Sequence, residues 1–135
     1  MGASCAPRAP VPGSSRAWRQ LAGFGAIGRR VAASCLALGM HVTAVRRHVG
    51  HEKVPGVEFA GLDRLHECLP SAQALIVALP HTAATEGLMG HREIALLPPD
   101  CLVVNVARAR ILDERALCEA LRDGRLHGAG LDVWY

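Results

Sequence analysis

A short glycine-rich segment, Gly23-Phe-Gly-Ala-Ile-Gly28, constrains the possible folds of this chain more than any other feature. A helical pattern follows it directly over residues 26–38 and ends at Gly39, and a strand pattern comes next over residues 41–45. The side chains expected on the buried face of this helix are Ile27, Val31, Cys35 and Leu38. A tight turn that opens a helix between two strands is typical of a βαβ unit, in which the last glycine allows close packing of helix on sheet. The segment therefore predicts a parallel sheet with helical connections.

Strand and helix patterns continue to alternate along the rest of the chain, as they do in α/β proteins. Further strands are expected over 57–60, 74–79, 101–107 and from Leu126 or His127 to Trp134. Further helices are expected over 62–68, over 91–97 and from an N-cap at Asp113 to a stop at Gly124. Whether the first strand, over 18–22, forms is left open, because Arg19 and Gln20 stand where a central strand is normally apolar. The expected fold is a Rossmann-type, doubly wound parallel sheet in three layers, forming a single domain.

Two charged residues stand where parallel sheets bind ligands. Arg108 comes directly after the 101–107 strand, and Asp132 lies near the end of the closing strand. Because ligands bind in open α/β sheets at the carboxyl ends of the strands, Arg108 and Asp132 are expected to share one crevice. A surface salt bridge is the alternative role for the arginine, and a turn or helix-capping carboxylate is the alternative for the aspartate.

The glycine-rich segment also has the spacing of a phosphate-binding loop. Gly25 would let backbone amides approach a pyrophosphate, and the free amides that open the helix would face the anion. The candidate cofactor-binding residues here are Gly23, Gly25, Ala26, Ile27 and Gly28. A plain glycine-rich turn is the alternative, but the helix and strand that follow favour nucleotide binding.

Two arginines close the 41–45 strand region, where a Rossmann site for NAD normally offers a carboxylate to the ribose 2′-hydroxyl. The chain has Arg46-Arg47-His48 there and no acidic residue. Guanidinium groups match a 2′-phosphate, and a missing carboxylate removes the repulsion that would exclude it. Arg46 and Arg47 therefore predict a preference for NADP over NAD, with a solvated basic turn as the alternative.

The composition argues against several functional classes. The 15 basic and 12 acidic residues are interspersed, the net charge is only +3, and aromatic residues make up 4% of the chain, so nucleic acid is not an expected partner. Apolar runs are no longer than a strand, which excludes a membrane span. The five cysteines are odd in number and lack CxxC spacing, which favours reduced thiols in a cytoplasmic compartment.

Residues 1–17 are rich in Pro, Ser and Arg and are expected to form a disordered leader before a domain over 18–135. We expect a cytoplasmic location, with an organellar transit peptide left open. His48 and His51 stand three residues apart, but a solvated loop is the favoured interpretation of this pair, so no metal site is expected.

The motifs together resemble the NAD(P)-binding domain of the D-isomer-specific 2-hydroxyacid dehydrogenases, the family of hydroxypyruvate/glyoxylate reductases and D-3-phosphoglycerate dehydrogenases. The resemblance covers about residues 21–135. It rests on Gly23-Phe-Gly-Ala-Ile-Gly28, on Leu79-Pro80-His-Thr-Ala-Ala-Thr85-Glu-Gly87-Leu88, and on Val104-Asn-Val-Ala-Arg108 through Leu112-Asp113-Glu114 to Gly128-Ala-Gly-Leu-Asp132. Several motifs in family order are more specific than a glycine loop alone.

The resemblance implies roles for individual residues. Arg108 is similar to the arginine that holds the carboxylate and carbonyl of a small 2-oxo acid, and it is the one catalytic residue expected here. Asp132 is similar to the aspartate that contacts the nicotinamide carboxamide. The resemblance also implies that Val106 faces the nicotinamide and that Leu79 and Pro80 line the adenine side. The implied cofactor is NADP or NAD, and a homodimer through this domain is possible by the same resemblance.

The family's acid/base histidine and its orienting glutamate follow the position of Asp132 in the family pattern, and no histidine of this chain stands in that context. The family pattern also includes a separate substrate domain, for which these residues leave no room. We therefore expect a truncated member that binds cofactor without efficient turnover by itself. The alternative function is a non-catalytic nucleotide-sensing or dimerisation module of the corepressor type. In addition, Ala109 replaces the glycine usual after the arginine, and would be strained if that position needed a positive φ.

Overall fold

The structure is a computed structural model that describes residues 18–135, with side chains described from residue 22 onward. The leader expected over residues 1–17 lies outside the described residues.

The described chain contains six strands and four α-helices, with a helix between successive strands except the second and third, which a loop connects. The strands are β1 (Trp18–Ala22), β2 (His41–Arg46), β3 (Val57–Gly61), β4 (Ala74–Val77), β5 (Leu102–Asn105) and β6 (Gly128–Leu131). The helices are α1 (Ala26–Ala37), α2 (Leu65–Cys68), α3 (His91–Leu96) and α4 (Glu114–Arg122). Short 3₁₀ turns at Leu62–Arg64 and Leu69–Ser71 flank α2, and another at Ala109–Ile111 follows β5.

All six strands pair in parallel, in the order β3-β2-β1-β4-β5-β6. This is the strand order of the Rossmann fold. The chain adds β2 and β3 on one side of β1, and it then returns to add β4, β5 and β6 on the other side. The expected α/β class is therefore confirmed. The reversal opens a crevice at the carboxyl ends of β1 and β4, where ligands bind in such sheets.

The first strand, left open by the sequence, does form, and it occupies the centre of the sheet. The backbone of Trp18–Ala22 pairs with β2 on one side and β4 on the other, in register Leu21 with Ala44 and Leu21 with Ile76. Arg19 and Gln20 therefore lie in a central strand despite their polarity.

Both faces of the sheet are covered, which gives the three layers. Along β4, Leu75 and Val77 belong to one hydrophobic cluster, whereas Ile76 between them packs against the other. This alternation is the side-chain period of a strand that is buried on both faces. The α1 face holds the smaller cluster, with Ala32 and Val42 among its buried residues, and the opposite face holds the larger one.

The buried face of α1 differs from the expected one. Ile27 and Leu38 are 55% and 71% exposed, so these two positions were assigned to the wrong face. The fully covered residues of α1 are Gly28 and Ala32, and Val31 and Cys35 are partly buried beside the cluster. The helix presents its smallest side chains to the sheet, because close approach of helix to strand leaves no room for a large one.

The predicted helix ends are confirmed. Gly39 and Gly124 have φ values of +74° and +69°, as expected for glycines that follow a helix. The Asp113 carboxylate accepts a 2.7 Å hydrogen bond from the Ala116 N–H and so caps α4. In residues 18–135, no helix is both long and apolar enough to cross a membrane, and no group of three His, Cys, Asp or Glu side chains is placed to hold a metal.

Candidate functional site

The turn after β1 requires glycine at its first position. Gly23 has φ +106°, and its N–H donates to the Val45 carbonyl over 2.8 Å. A Cβ on Gly23 would stand 2.7 Å from the carbonyl carbon of Ala78. The turn is therefore pressed against the chain that leaves β4, and only glycine fits both its dihedral angles and this contact.

The next glycine leaves open space beside the start of α1. A Cβ on Gly25 would meet nothing within 4 Å, and the residue is exposed. Gly25 is the N-cap of α1, no side chain caps the helix, and its first turn contains no acidic residue. The amides that open α1 thus keep their hydrogen-bonding capacity and the positive end of the helix dipole, which favours an anion.

A cleft of about 640 Å³ lies at this helix start and extends to the end of β5. It brings together seven of the predicted site residues, namely Gly25, Ala26, Ile27, Leu79, Pro80, Val106 and Arg108. Ala78, His81 and Ala107 complete its lining. The cleft therefore joins the glycine loop to the arginine that follows β5.

A second cavity of about 330 Å³ lies on the other side of the glycine loop. Its lining includes three further predicted residues, Gly23, Arg46 and Arg47, together with Phe24 and Thr85. Four residues line both cavities: Gly25, Ala78, Leu79 and Pro80. The two cavities are therefore neighbours that share a wall made by the glycine loop and the end of β4.

Two predicted site residues do not line either cavity. Gly28 is buried within α1, where it serves the packing of helix on sheet. Asp132 is exposed after β6, and its N–H donates to the Asn105 carbonyl over 3.0 Å. Asp132 thus lies beside the end of β5, but the structure does not place it with Arg108 in the walls of the cleft.

The loop that carries Arg108 is held by a residue that the sequence analysis did not identify, Asn105. Its side-chain amide donates to the Arg108 carbonyl over 3.0 Å, and its side-chain oxygen accepts from the Ala107 N–H over 3.0 Å. Asn105 is fully buried. A polar residue inside the apolar run before Arg108 was the signal that could have revealed it, because a buried amide needs partners.

The side chain of Arg108 is exposed and has few hydrogen-bond partners within the protein. Its Nη1 donates to the Ala107 carbonyl over 2.8 Å, and in the described part of the chain it forms no salt bridge. The following residue, Ala109, lies in a 3₁₀ turn, and no described residue other than glycine has a positive φ. The strain considered for Ala109 is therefore absent.

The segment after β4 is fixed by Thr85, which is buried. The Thr85 hydroxyl donates to the Pro80 carbonyl over 2.7 Å and accepts from the Thr82 N–H over 2.9 Å. These bonds fold the loop back on itself and hold Pro80 in the wall shared by the two cavities. His81 in the same loop lies 3.8 Å from the Glu86 carboxylate, measured from Nε2 to Oε2.

The basic end of β2 contains a carboxylate that the sequence analysis did not expect. Glu52, in the loop before β3, accepts a hydrogen bond from Arg46 over 2.7 Å and contacts Arg29 of α1. The expectation of a site without a carboxylate was wrong, because the loop folds back and returns Glu52 to Arg46. Hydrogen bonds from Arg29 and then from Arg46 hold the pKa of the Glu52 carboxyl at about 2, so it stays ionised near neutral pH.

The residues present fit a dinucleotide. The uncapped amides at the start of α1 suit a pyrophosphate, and a cavity lies on each side of them. Within the described residues, Arg46 Nε is a buried side-chain donor without a hydrogen-bond partner, and Arg46 lines the second cavity. Fold and site together define a Rossmann-type dinucleotide-binding domain.

The chain belongs to the D-isomer specific 2-hydroxyacid dehydrogenases, since the model for the NAD binding domain of that family matches residues 17–135. Among its relatives, the glyoxylate reductase of Thermococcus gammatolerans is 36% identical over 115 residues, which cover 83% of this chain and 33% of the relative. The chain thus spans about one third of the length of this relative. The family acts on 2-hydroxy acids as oxidoreductases, and the comparisons give no support to a corepressor-type module.

Solved structures of the family have the same fold. A D-isomer specific 2-hydroxyacid dehydrogenase from Xanthobacter autotrophicus, in complex with NADPH and MES, is 33% identical with a TM-score of 0.82, covering 87% of this chain and 48% of that one. One from Lactobacillus delbrueckii, complexed with NAD, is 28% identical with a TM-score of 0.81, covering 88% and 35%. A nicotinamide dinucleotide is thus the cofactor class, and both forms occur among the neighbours.

Proposed function

We propose that this chain binds a nicotinamide dinucleotide across its two cavities, with the pyrophosphate at Gly25 and the start of α1. The observation that carries this proposal is the wall that the cavities share at the glycine loop, because a dinucleotide has two halves joined by a pyrophosphate. The nicotinamide half would lie in the larger cleft, near Val106 and Arg108. The adenosine half would lie in the smaller cavity, beside Leu79, Pro80 and Arg46.

We propose further that NADP is preferred over NAD. Arg46 and Arg47 line the adenosine cavity. Arg29 is linked to Arg46 by Glu52, which forms a salt bridge with each of them. Two of these guanidinium groups, those of Arg46 and Arg29, pair with one carboxylate, and Arg47 adds a third positive charge, so the local charge remains positive and suits a 2′-phosphate.

In the whole protein, the proposed reaction is reversible hydride transfer between NADPH or NADH and a small 2-oxo acid. When bound, the nicotinamide supplies or accepts the hydride. Arg108, exposed at the cleft without a salt bridge, is free to hold the substrate carboxylate and to stabilise negative charge on the carbonyl oxygen. Asp132 would contact the nicotinamide carboxamide after a local rearrangement. The 135 residues by themselves are proposed to bind cofactor without efficient turnover.

The test of this proposal is calorimetric titration of the chain with NADPH and with NADH. We expect both to bind, NADPH more tightly, and Arg46→Asp to weaken NADPH by about tenfold or more relative to NADH, because a fixed cation becomes an anion. Arg92→Asp is the matched control, since Arg92 is exposed on α3 and the charge change is identical. Unchanged selectivity in Arg46→Asp would refute the NADP preference, and no binding of either cofactor would refute the function.

A further inference from the structure

The loop between β2 and β3 contributes one carboxylate that holds two arginines from different elements. Glu52 Oε2 accepts hydrogen bonds from Arg46 Nη1 over 2.7 Å and from Arg29 Nη2 over 3.0 Å, while Oε1 accepts from Arg29 Nη1. Arg46 ends β2 and Arg29 lies in the first turn of α1. A single side chain thus bridges the glycine-loop helix and the strand whose end faces the adenosine cavity.

Arg46 is held in place on its other sides as well. Its Nη2 donates to the Val49 carbonyl, and its guanidinium carbon lies 4.3 Å from the ring centre of Phe59. The Phe59 ring meets Phe24 edge to face at 4.9 Å. Within the described residues, Glu52 is the carboxylate that pairs with Arg46, and the side chain of Arg46 is only 17% exposed.

This arrangement bears directly on the choice between two cofactors that differ by one phosphate group. A 2′-phosphate is held best by several guanidinium donors at once, and Glu52 already occupies Nη1 of Arg46 and both Nη groups of Arg29, which leaves Nε as the Arg46 donor without a partner in the described chain. The Glu52 carboxylate also offsets the positive charge of the two arginines, which weakens their attraction for a phosphate. A 2′-hydroxyl is neutral and meets neither obstacle. Glu52 therefore acts against the phosphorylated cofactor and has little effect on the other.

We propose that Glu52 is a specificity-determining residue, which limits the preference for NADPH by competing with the 2′-phosphate for Arg46 and Arg29. This inference rests on the proposed binding of a nicotinamide dinucleotide and adds a residue that restrains its selectivity. Glu52 does not line the adenosine cavity, so it acts through the arginines rather than on the ligand.

The experiment measures the affinity of the whole chain for NADPH and NADH, and for the fragments adenosine 2′,5′-bisphosphate and AMP. In Glu52→Gln, the affinities for NADPH and the bisphosphate should rise about tenfold, while those for NADH and AMP stay within about twofold, since a neutral amide no longer competes. Glu52→Asp keeps the negative charge, so its ratio of NADPH affinity to NADH affinity should stay close to that of the wild type. Glu58→Gln, at an exposed position on β3, controls for the change in net charge.

A double variant tests whether the gain passes through Arg46. With Arg46→Met in the background, Glu52→Gln should lose most of its gain for the phosphorylated ligands, and thermal unfolding checks that each variant is folded. Glu52→Ser serves as the second variant if Glu52→Gln is unstable. A gain no larger than that of Glu58→Gln, or an equal gain for NADH, would overturn the role of Glu52 alone. A wild-type chain that binds neither dinucleotide would overturn the proposed function together with this inference.

Discussion

At the scale of single residues, two glycines of the same loop serve opposite purposes. Gly23 is required by the protein, because its positive φ and its contact with the Ala78 backbone exclude any side chain. Gly25 is not required by the protein, because its backbone is extended and a Cβ there would meet open space. The proposed pyrophosphate would account for the space at Gly25, because that ligand would approach the backbone closely.

The same substitution at the two glycines should therefore give different results. Gly23→Ala should lower the free energy of unfolding by about 2–4 kcal/mol, through strain at positive φ and overlap with Ala78. Gly25→Ala should change stability by less than about 1 kcal/mol and weaken dinucleotide binding by about tenfold or more. Urea unfolding and calorimetric titration measure the two effects.

Gly130→Ala is the control for these variants, because a Cβ on Gly130 would make only ordinary contact with Val104, 3.8 Å away. It should leave both stability and binding close to wild type. Normal binding by Gly25→Ala would contradict the assignment of the pyrophosphate to this loop.

At the scale of elements, the end of β5 positions Arg108 through the backbone. The buried Asn105 side chain bonds the Ala107 N–H and the Arg108 carbonyl, so the turn is fixed without any contact to the Arg108 side chain. Removing the amide would leave the buried Ala107 N–H without this partner, whereas the Arg108 carbonyl would keep the 3.3 Å hydrogen bond that it accepts from the Ile111 N–H. The backbone at the end of β5 thus sets the position of Arg108, whereas the Arg108 side chain contributes little to the stability of this turn.

Because the Asn105 side chain holds the turn and the Arg108 side chain does not, alanine substitutions at the two positions should change stability by different amounts. Asn105→Ala should lower the free energy of unfolding by about 1–3 kcal/mol, because it leaves the buried Ala107 N–H unsatisfied and removes one of the two hydrogen bonds to the Arg108 carbonyl. Arg108→Ala should change it by less than about 0.5 kcal/mol, because the exposed side chain makes one hydrogen bond to its own chain neighbour. Thermal or urea unfolding measures both variants. Equal losses of unfolding free energy would contradict the assignment of the turn's stability to Asn105.

At the scale of the whole molecule, the ion pairs of Glu52 should make the free energy of unfolding depend on pH in the acid range. Its pKa is about 2 in the folded chain, below its ordinary value near 4.5, so its stabilising contribution is complete above about pH 4.5 and is lost as the pH falls toward 2. The stability difference between wild type and Glu52→Gln should therefore be largest at neutral pH and shrink below pH 4.5. Urea unfolding between pH 7 and pH 2.5 at low salt measures it, and a difference independent of pH would contradict the pairing.

Much of the architecture followed from the sequence, because it depends on local patterns. The buried strands, the cap at Asp113 and the stops at Gly39 and Gly124 all depend on neighbours in sequence, and each is confirmed. The sequence predicted a crevice shared by Arg108 and Asp132, because the carboxyl ends of parallel strands lie at one edge of the sheet. The cleft at that edge is lined by Arg108 and Gly25 but not by Asp132.

The features that sequence did not reveal depend on tertiary contacts. Ile27 and Leu38 have the spacing of a buried face, but the distance of α1 from the sheet selected Gly28 and Ala32 instead. Glu52 gave no signal, because its pairing with Arg46 and Arg29 arises from a loop that folds back. The strand at residues 18–22 forms where its polarity argued against it, since two parallel neighbours satisfy its backbone.

The wall shared by the two cavities has a consequence for ligands smaller than a dinucleotide. Once one half of a linked ligand is bound beside Leu79 and Pro80, the other half is confined to the adjoining cavity at a high effective concentration. AMP and nicotinamide mononucleotide offered together lack this tether and lose their translational freedom separately. The affinity of the intact dinucleotide should therefore exceed that of either half by far more than the added contacts alone would give.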